Sequence, residues 1–486
     1  MKWRWLAVVP LLAVLALPMV VPRIAATRGV QVVSTSWCVA GLCLRGVNKG
    51  TAHAETVEIG WTGTLRLSDV EAPLPTGGGS GSGGLPFRRV EVERLRVIGL
   101  PLPPLSGSLV PERHLVGEHI EIRGDTATAE FVTPAGAVSI QARRDGEILS
   151  FAVRGEGLRV SRPDLAPEPW AVPRVIVEGA GSLTEASGTW SVGAVRGVFT
   201  ATRDGSTPRV TFTLPPTRID SVYAALAGIV PELGRATIGG TLTATGDWTW
   251  PDGPIHVLPV VEGFTVTGLV PPAFASGPFT FRGFDAERAP IAVTTGEGTP
   301  GWLELRRAGR WLPRAVVAAE DSAYWRHASY DIDGMLAAAD ANTDAGDIVR
   351  GGSTLSQQLA KNVFLDPSRT YQRKLREALY ARDLEGTLGK ERVLEIYLNV
   401  VEWGPGIRGA AQAANVYFLK SPDGLLPEEA AWLASILRSP RKAYTAQYLV
   451  GRADRIRLAW VLDNMVDLEK TERSAAKSRP IRFVPP

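Results

Sequence analysis

Between residues 57 and 214 the chain repeats short runs in which apolar and polar residues alternate: VEIGWTGTLRL (57–67), VEVERLRVIG (90–99), AVSIQARR (137–144) and VTFTL (210–214). A period of two sends successive side chains to opposite faces of a pleated strand, and helices cannot satisfy it. With β-branched residues inside the runs and Gly, Pro and Asp-Gly turns between them, the pattern predicts antiparallel sheet over roughly the first 280 residues. Arg144-Asp145-Gly146 recurs as Arg203-Asp204-Gly205, and Ile140, Phe151 and Val153 are answered by Phe199, Val210 and Phe212. That echo predicts repeated hairpins stacked side by side into an elongated sheet. TGGGSGSGG (76–84) reads as a flexible loop or hairpin tip. No Lys or helical pattern follows it, as a phosphate cradle would require.

Residues 3–21 are apolar except for Arg4. At ~1.5 Å per residue they span about 28 Å, close to the hydrocarbon thickness of a bilayer. An uncleaved signal anchor over 1–27 is the preferred reading over a cleaved signal peptide, since Ile24-Ala25-Ala26 is a poor cleavage site. Either reading exports the remainder. The only cysteines, Cys38 and Cys43, are then expected to close a small loop by a disulfide. The five histidines are scattered, and His114 and His119 lack the H-E-x-x-H spacing, so no metal site is expected. A formal net charge of +3 without a dense Lys/Arg run gives no reason to expect a nucleic-acid partner.

Near residue 300 the pattern changes to helices. GWLELRRAGRWLPR (301–314) mixes aromatic and basic residues, which suits either a membrane interface or the start of a new domain. The apolar run AVVAA (315–319) ends in Glu320-Asp321. Adjacent carboxylates there are either a solvated helix end or a pair in which one pKa is raised, as a general base needs. In GGSTLSQQLAKNVF (351–364), Leu355, Leu359 and Val363 mark one helical stripe, and Ser353 with Thr354 reads as its capped start. Farther on, Arg373 and Glu377 lie one turn apart. That spacing fits a solvated ion pair or, with Lys361, a polar cluster facing a polyanion.

These segments, taken in order, resemble the family 51 peptidoglycan glycosyltransferases over residues 311–440. EDSAYWRH (320–327) is similar to the family's first box and GGSTLSQQLAKN (351–362) to its second. RKLRE (373–377) and RVLEIYLN (392–399) follow as the third and fourth, and AAQAANVYFLK (410–420) comes after them. LNVVEWGPGIRG (398–409) is closer to the monofunctional members. The implied fold is multidomain α+β: a membrane anchor (1–27), an elongated antiparallel β-rich region (28–285), an all-α lysozyme-like glycosyltransferase domain (286–450) and a polar tail (451–486). VEIGWTGTLRLSDVEAP (57–73) resembles the β-rich AsmA-like envelope proteins. That likeness would imply a groove for acyl chains, although a spacer is the preferred reading of the region.

The resemblance implies polymerisation of lipid II into β-1,4-linked glycan, with release of undecaprenyl pyrophosphate and no transpeptidase activity. Glu320 would take the proton from the acceptor's 4-hydroxyl as it attacks the donor's anomeric carbon with inversion. Lys361 and Arg373 would meet the charge on the leaving group, with a divalent cation (Mg or Mn) on the pyrophosphate as an optional third source. Glu377 would position the pyrophosphate, the metal or Arg373. Ser353, Gln358 and Asn362 would contact the sugar–phosphate region, and Asp321 and His327 would order the first box. Implied partners are lipid II, the growing glycan strand, the bacterial inner membrane and other cell-wall synthesis proteins, with catalysis on the periplasmic side.

Two departures bear on activity. Ser329 stands where the family's first box carries glycine, and the segment MLAAADANTDAGDIVR (335–350) is less apolar than usual. Ser474-Ala-Ala-Lys477 mimics a transpeptidase motif, but too few residues surround it for such a domain. The alternative is an envelope lipid-binding or scaffold protein with a weakly active or inactive transferase domain. A lytic enzyme of lysozyme-like fold is disfavoured, because glycan hydrolysis offers Lys361 and Arg373 no pyrophosphate to hold.

Overall fold

The computed structural model describes residues 25–485 except 40, 74–88, 99–114, 134–135, 162–165, 183, 205–206, 250–254, 330–352 and 369. The run expected to cross the membrane lies outside the described residues, as do the 76–84 loop, Gly351 and Gly352. Among the described residues no helix is long and apolar enough to cross a membrane. The chain divides into two compact units. One comprises the residues up to Ile229 together with Thr241–Glu262, the other Val230–Gly240 with Gly263–Pro486.

The first unit is built on strands that follow one another across a single sheet, from Gln31–Cys38 at one edge to Ile255–Thr267 at the other, of which the residues up to Glu262 belong to this unit. The echoed hairpins both form: Ile140 pairs with Val153 in one and Phe199 with Phe212 in the other. Ile140, Val153, Val177 and Trp190 pair in turn, so one face of the sheet carries a continuous apolar stripe. Gly188 leaves room on it, since a Cβ there would come within 2.8 Å of the Phe199 ring. On the other face Arg154 bridges Gln141 at 3.1 Å and Glu178 at 2.7 Å. A short helix, α1 (Ile219–Ala225), closes one end, with Val222 and Ala225 against Val195, Leu214 and Ala244. Cys38 and Cys43 are joined by a disulfide. The expectation of a wholly antiparallel sheet is corrected at one place: Thr64–Pro73 and Arg89–Ile98 pair in parallel. Parallel neighbours need a crossover rather than a tight turn, and the residues between these two include the 76–84 segment.

The second unit is mainly helical: α2 (Leu312–Glu320), α3 (Leu355–Phe364), α4 (Tyr371–Val400), α5 (Ala410–Phe418), α6 (Pro427–Ile436), the one-turn α7 (Pro440–Ala443), α8 (Arg455–Asn464) and α9 (Lys470–Ser478). Helix α2 carries Pro313 as its second residue, tolerated in a first turn whose N–H groups lack partners anyway. It buries Leu312, Ala315 and Val316 and packs on α6, which in turn packs on α8. Helix α4 is interrupted at Gly389 (φ 72°, ψ 162°), a backbone position that favours glycine. Two expectations change here. The unit is not all-α, because Pro278–Phe284 pairs with Pro290–Gly296 and Glu402–Gly404 with Ile407–Arg408. Residues 451–486 are no loose tail either: Leu458, Val461 and Leu462 on α8 and Ala476 on α9 are buried. Ser474 and Lys477, the transpeptidase mimic, lie on α9.

Candidate active site

The site is assembled on the first turn of α3. Thr354 caps it: its hydroxyl accepts from Gln357 N at 3.2 Å while the Gln357 side chain accepts from Thr354 N at 2.9 Å. This reciprocal pair satisfies two otherwise free donors. The Thr354 hydroxyl also donates to the Ser329 carbonyl at 2.8 Å, tying the end of the first box to the helix start. Ser329 is fully buried, and its own hydroxyl has no partner among the described residues.

Asp321 makes the second tie. One oxygen accepts from Leu355 N at 3.0 Å, at the positive end of α3, and the other meets His327 Nε2 at 2.6 Å. His327 Nδ1 reaches the Ala328 carbonyl. Both ring nitrogens donate only in the imidazolium. Accordingly the hydrogen bond to Asp321, against the opposing effect of burial, raises the His327 pKa above 6.5.

Glu320 ends α2. Its Oε2 accepts from Gln358 Nε2 at 3.0 Å, and Gln358 Oε1 accepts from the Tyr397 hydroxyl at 3.0 Å. Burial disfavours the carboxylate and raises its pKa above the ordinary 4.5. The Gln358 hydrogen bond and the charges of Arg457, Lys361 and Arg438 pull only part of the way back. The result is a carboxylate held by a neutral amide, with more proton affinity than a surface glutamate.

Glu377 is treated differently. It is 1% exposed, and a charge so buried must be paired. Arg373 bonds one oxygen, and Lys374 Nζ donates to the other at 2.7 Å. Lys374 also donates to Ser353 Oγ at 2.7 Å, joining α4 to the residue just before the α3 cap. Lys361 keeps much of its side chain open to solvent and makes no hydrogen bond among the described residues. Desolvation nevertheless pushes its amine below the usual 10.5. Glu377 opposes that, Arg373 and Lys374 add to it, and Glu320 opposes it weakly. Lys361 therefore stands in the fields of both glutamates.

The structure thus joins Gln358 to Glu320, and Ser353 through Lys374 to Glu377 beside Arg373, with Lys361 in the fields of both glutamates. Asn362, on the same helix, makes no hydrogen bond among the described residues. Sequence reasoning missed Lys374, although its i,i+3 spacing to Glu377 was a readable signal. It also missed Tyr397 and Arg457, which sit 77 and 137 positions after Glu320 and which no local pattern connects to it. For a divalent cation the donor set does not fit: both oxygens of Glu377 are engaged by cations, and no cluster of three ligating side chains occurs here among the described residues.

A family model described as Transglycosylase matches residues 288–466. The biosynthetic peptidoglycan transglycosylase of Azoarcus sp. (strain BH72) is 48% identical over 164 residues, 33% of this chain and 71% of that protein. That of Aromatoleum aromaticum is 47% identical over 32% of this chain and 69% of its own length, and that of Laribacter hongkongensis 42% over 34% and 74%. Penicillin-binding protein 1A from Haemophilus influenzae aligns at 20% identity over 43% of this chain and 21% of its own, with a TM-score of 0.23.

Proposed function

Because the chain belongs to the family of biosynthetic peptidoglycan transglycosylases, we propose that its helical unit joins lipid-linked disaccharides into glycan with Glu320 as the base. The reaction is glycosyl transfer: the 4-hydroxyl of the acceptor lipid II loses its proton to Glu320 and displaces undecaprenyl pyrophosphate from the donor's anomeric carbon. One observation carries the assignment of ends. Glu320 is a desolvated carboxylate with raised proton affinity, whereas Glu377 is saturated by Arg373 and Lys374. On that ground Glu320 is read as the proton acceptor, and Arg373 and Lys374, with Lys361 in the fields of both glutamates, as the cations for the pyrophosphate.

On this reading Lys361, Arg373 and Lys374 face the leaving group, and Glu377 keeps the latter two aligned. Ser353, Gln358 and Asn362 line the sugar–phosphate path. Asp321 and His327 act at one remove, by fixing Glu320 against α3. Any divalent cation would arrive on the pyrophosphate rather than be held by these side chains. The apolar run at 3–21 would anchor the chain in the bacterial inner membrane with both units on the periplasmic side, within reach of lipid II.

The test uses full-length protein in detergent with purified lipid II. Glu320→Gln keeps the Gln358 contact but cannot accept the proton, so chain growth should stop while the circular dichroism spectrum is retained. An active Glu320→Gln protein would sink the assignment. For the anchor, replacing residues 1–27 by a cleavable export signal should move the protein from the membrane to the soluble periplasmic fraction.

A further inference from the structure

Resting on that reading of the site, we propose that Glu232 is a positioning residue for the leaving-group cations, acting through Arg376 from a strap that the family match leaves out. The strap has two legs, 230–240 and 263–275, both outside the matched residues 288–466 and both part of the helical unit. Glu232 is 2% exposed, and one of its oxygens takes Arg376 Nη2 at 2.7 Å and Nε at 2.8 Å. Its other oxygen is buried without a hydrogen-bond partner among the described residues. A carboxylate desolvated to that degree holds its place only while the guanidinium does.

Arg376 lies between Lys374 and Glu377 in the chain but on another flank of α4. At about 100° per residue, Arg373, Lys374 and Glu377 share one side, while Arg376, Tyr380 and Asp383 share the next. Every residue of that second flank is gripped by the strap. Arg235 donates to the Tyr380 hydroxyl, and the Asp383 carboxylate accepts from Leu269 N at 2.6 Å and Val270 N at 2.8 Å. Phe274 lies 5.2 Å from the Phe364 ring at the end of α3, and Phe364 stacks on Tyr380 at 4.4 Å. The strap therefore fixes the rotation of α4 and its seat against α3, the helices that carry Arg373, Lys374 and Glu377 on one and Lys361 on the other. Three cations gathered at one end repel one another, and the α4 face that bears two of them needs a hold from outside.

Three full-length proteins decide the matter: parent, Glu232→Gln, and the double variant Glu232→Leu/Arg376→Met, which removes both charges and keeps apolar bulk. Lipid II polymerisation is measured with kcat and KM separated, alongside amide hydrogen exchange of residues 371–383. Glu232→Gln should lower kcat about tenfold or more, with KM changed less than threefold, and speed exchange in that segment. The double variant should recover most of both, since replacing a buried pair is tolerated far better than breaking it. Glu232→Gln turnover within twofold of the parent would overturn the proposal, as would exchange rising equally through the whole unit. If the parent makes no glycan, the functional reading fails by itself, and the exchange of residues 371–383 then decides the strap: no change in Glu232→Gln overturns it.

Discussion

Two glutamates on different helices, α2 and α4, have been given opposite environments. Glu320 sits at the end of α2 beside a neutral amide, and desolvation raises its affinity for a proton. Glu377 sits inside α4 between Arg373 and Lys374, with both oxygens committed to cations. Side-chain chemistry is the same in both. The difference teaches that burial sets the two roles apart through the partners it meets: desolvation outweighs a single neutral amide at Glu320 and raises its proton affinity, whereas two cations make Glu377 a strut. Exchanging the roles would require rebuilding both neighbourhoods.

The largest break in this comparison should come from Glu320→Gln, with polymerisation falling by about 10²–10⁴, the range for loss of a general base. The same change should raise stability at neutral pH. The folded-state pKa of Glu320 lies above the unfolded value, so the native protein carries a penalty that grows as pH rises from about 4.5 through the folded value. Gln removes the penalty, and melting temperature should rise by ~2 °C at pH 7.5 and by nothing near pH 4. Glu377→Gln should do the reverse. Activity falls by roughly 10–100-fold through misplaced cations, and the protein loses up to ~3 kcal/mol because Arg373 and Lys374 lose a shared counter-charge. A stabilised Glu377→Gln protein, read by thermal melting, would erase the distinction between the two glutamates.

How much of this was legible in the residues follows from the range of each interaction. The strand alternation and the α3 stripe depend on neighbours two to four positions apart, and both appear as expected, Leu355 and Leu359 fully buried and Thr354 as the cap. The Arg373–Glu377 pair was readable for the same reason. What sequence could not give were partners set by tertiary packing. Tyr397 reaches Gln358 across 39 positions, and Glu232 reaches Arg376 across 144. Residues 451–486 read as a polar tail because the buried ones, among them Leu458, Val461, Leu462, Met465 and Leu468, are spaced out among charged and polar ones. Composition hid a helix that carries Arg457, whose guanidinium donates to the Ala319 carbonyl at 3.1 Å, one residue before the base.

A smaller effect tests the support of the base end. The folded-state pKa of His327 is raised by its bond to Asp321, so the pair's stabilisation is complete below about pH 6.5 and is lost as pH rises through the folded value. His327→Ala should therefore cost ~1 kcal/mol at pH 6 and progressively less at alkaline pH. Melting curves from pH 5.5 to 9 check it. A parallel pair of curves would mean that the imidazolium does not hold Asp321 in place.

The subtlest prediction concerns Lys361, which feels both glutamates and so sits where the comparison is drawn. Desolvation first, and then the nearby Arg373 and Lys374, push its pKa below 10.5, while Glu377 and Glu320 pull it back. As the amine loses its proton the leaving-group end loses a cation, so turnover should decline on the alkaline side earlier than an ordinary lysine would dictate. On the acid side, protonation of Glu320 sets a limit above that of an ordinary glutamate. Lys361→Arg keeps the charge at all accessible pH values. It should retain within about tenfold of the parent's activity at neutral pH and move the alkaline limb outward by roughly half a unit or more, leaving the acid limb in place. A shift of the acid limb alone would mean that Lys361 serves the base. Movement of the alkaline limb alone assigns its charge to the pyrophosphate and divides the site between its two glutamates.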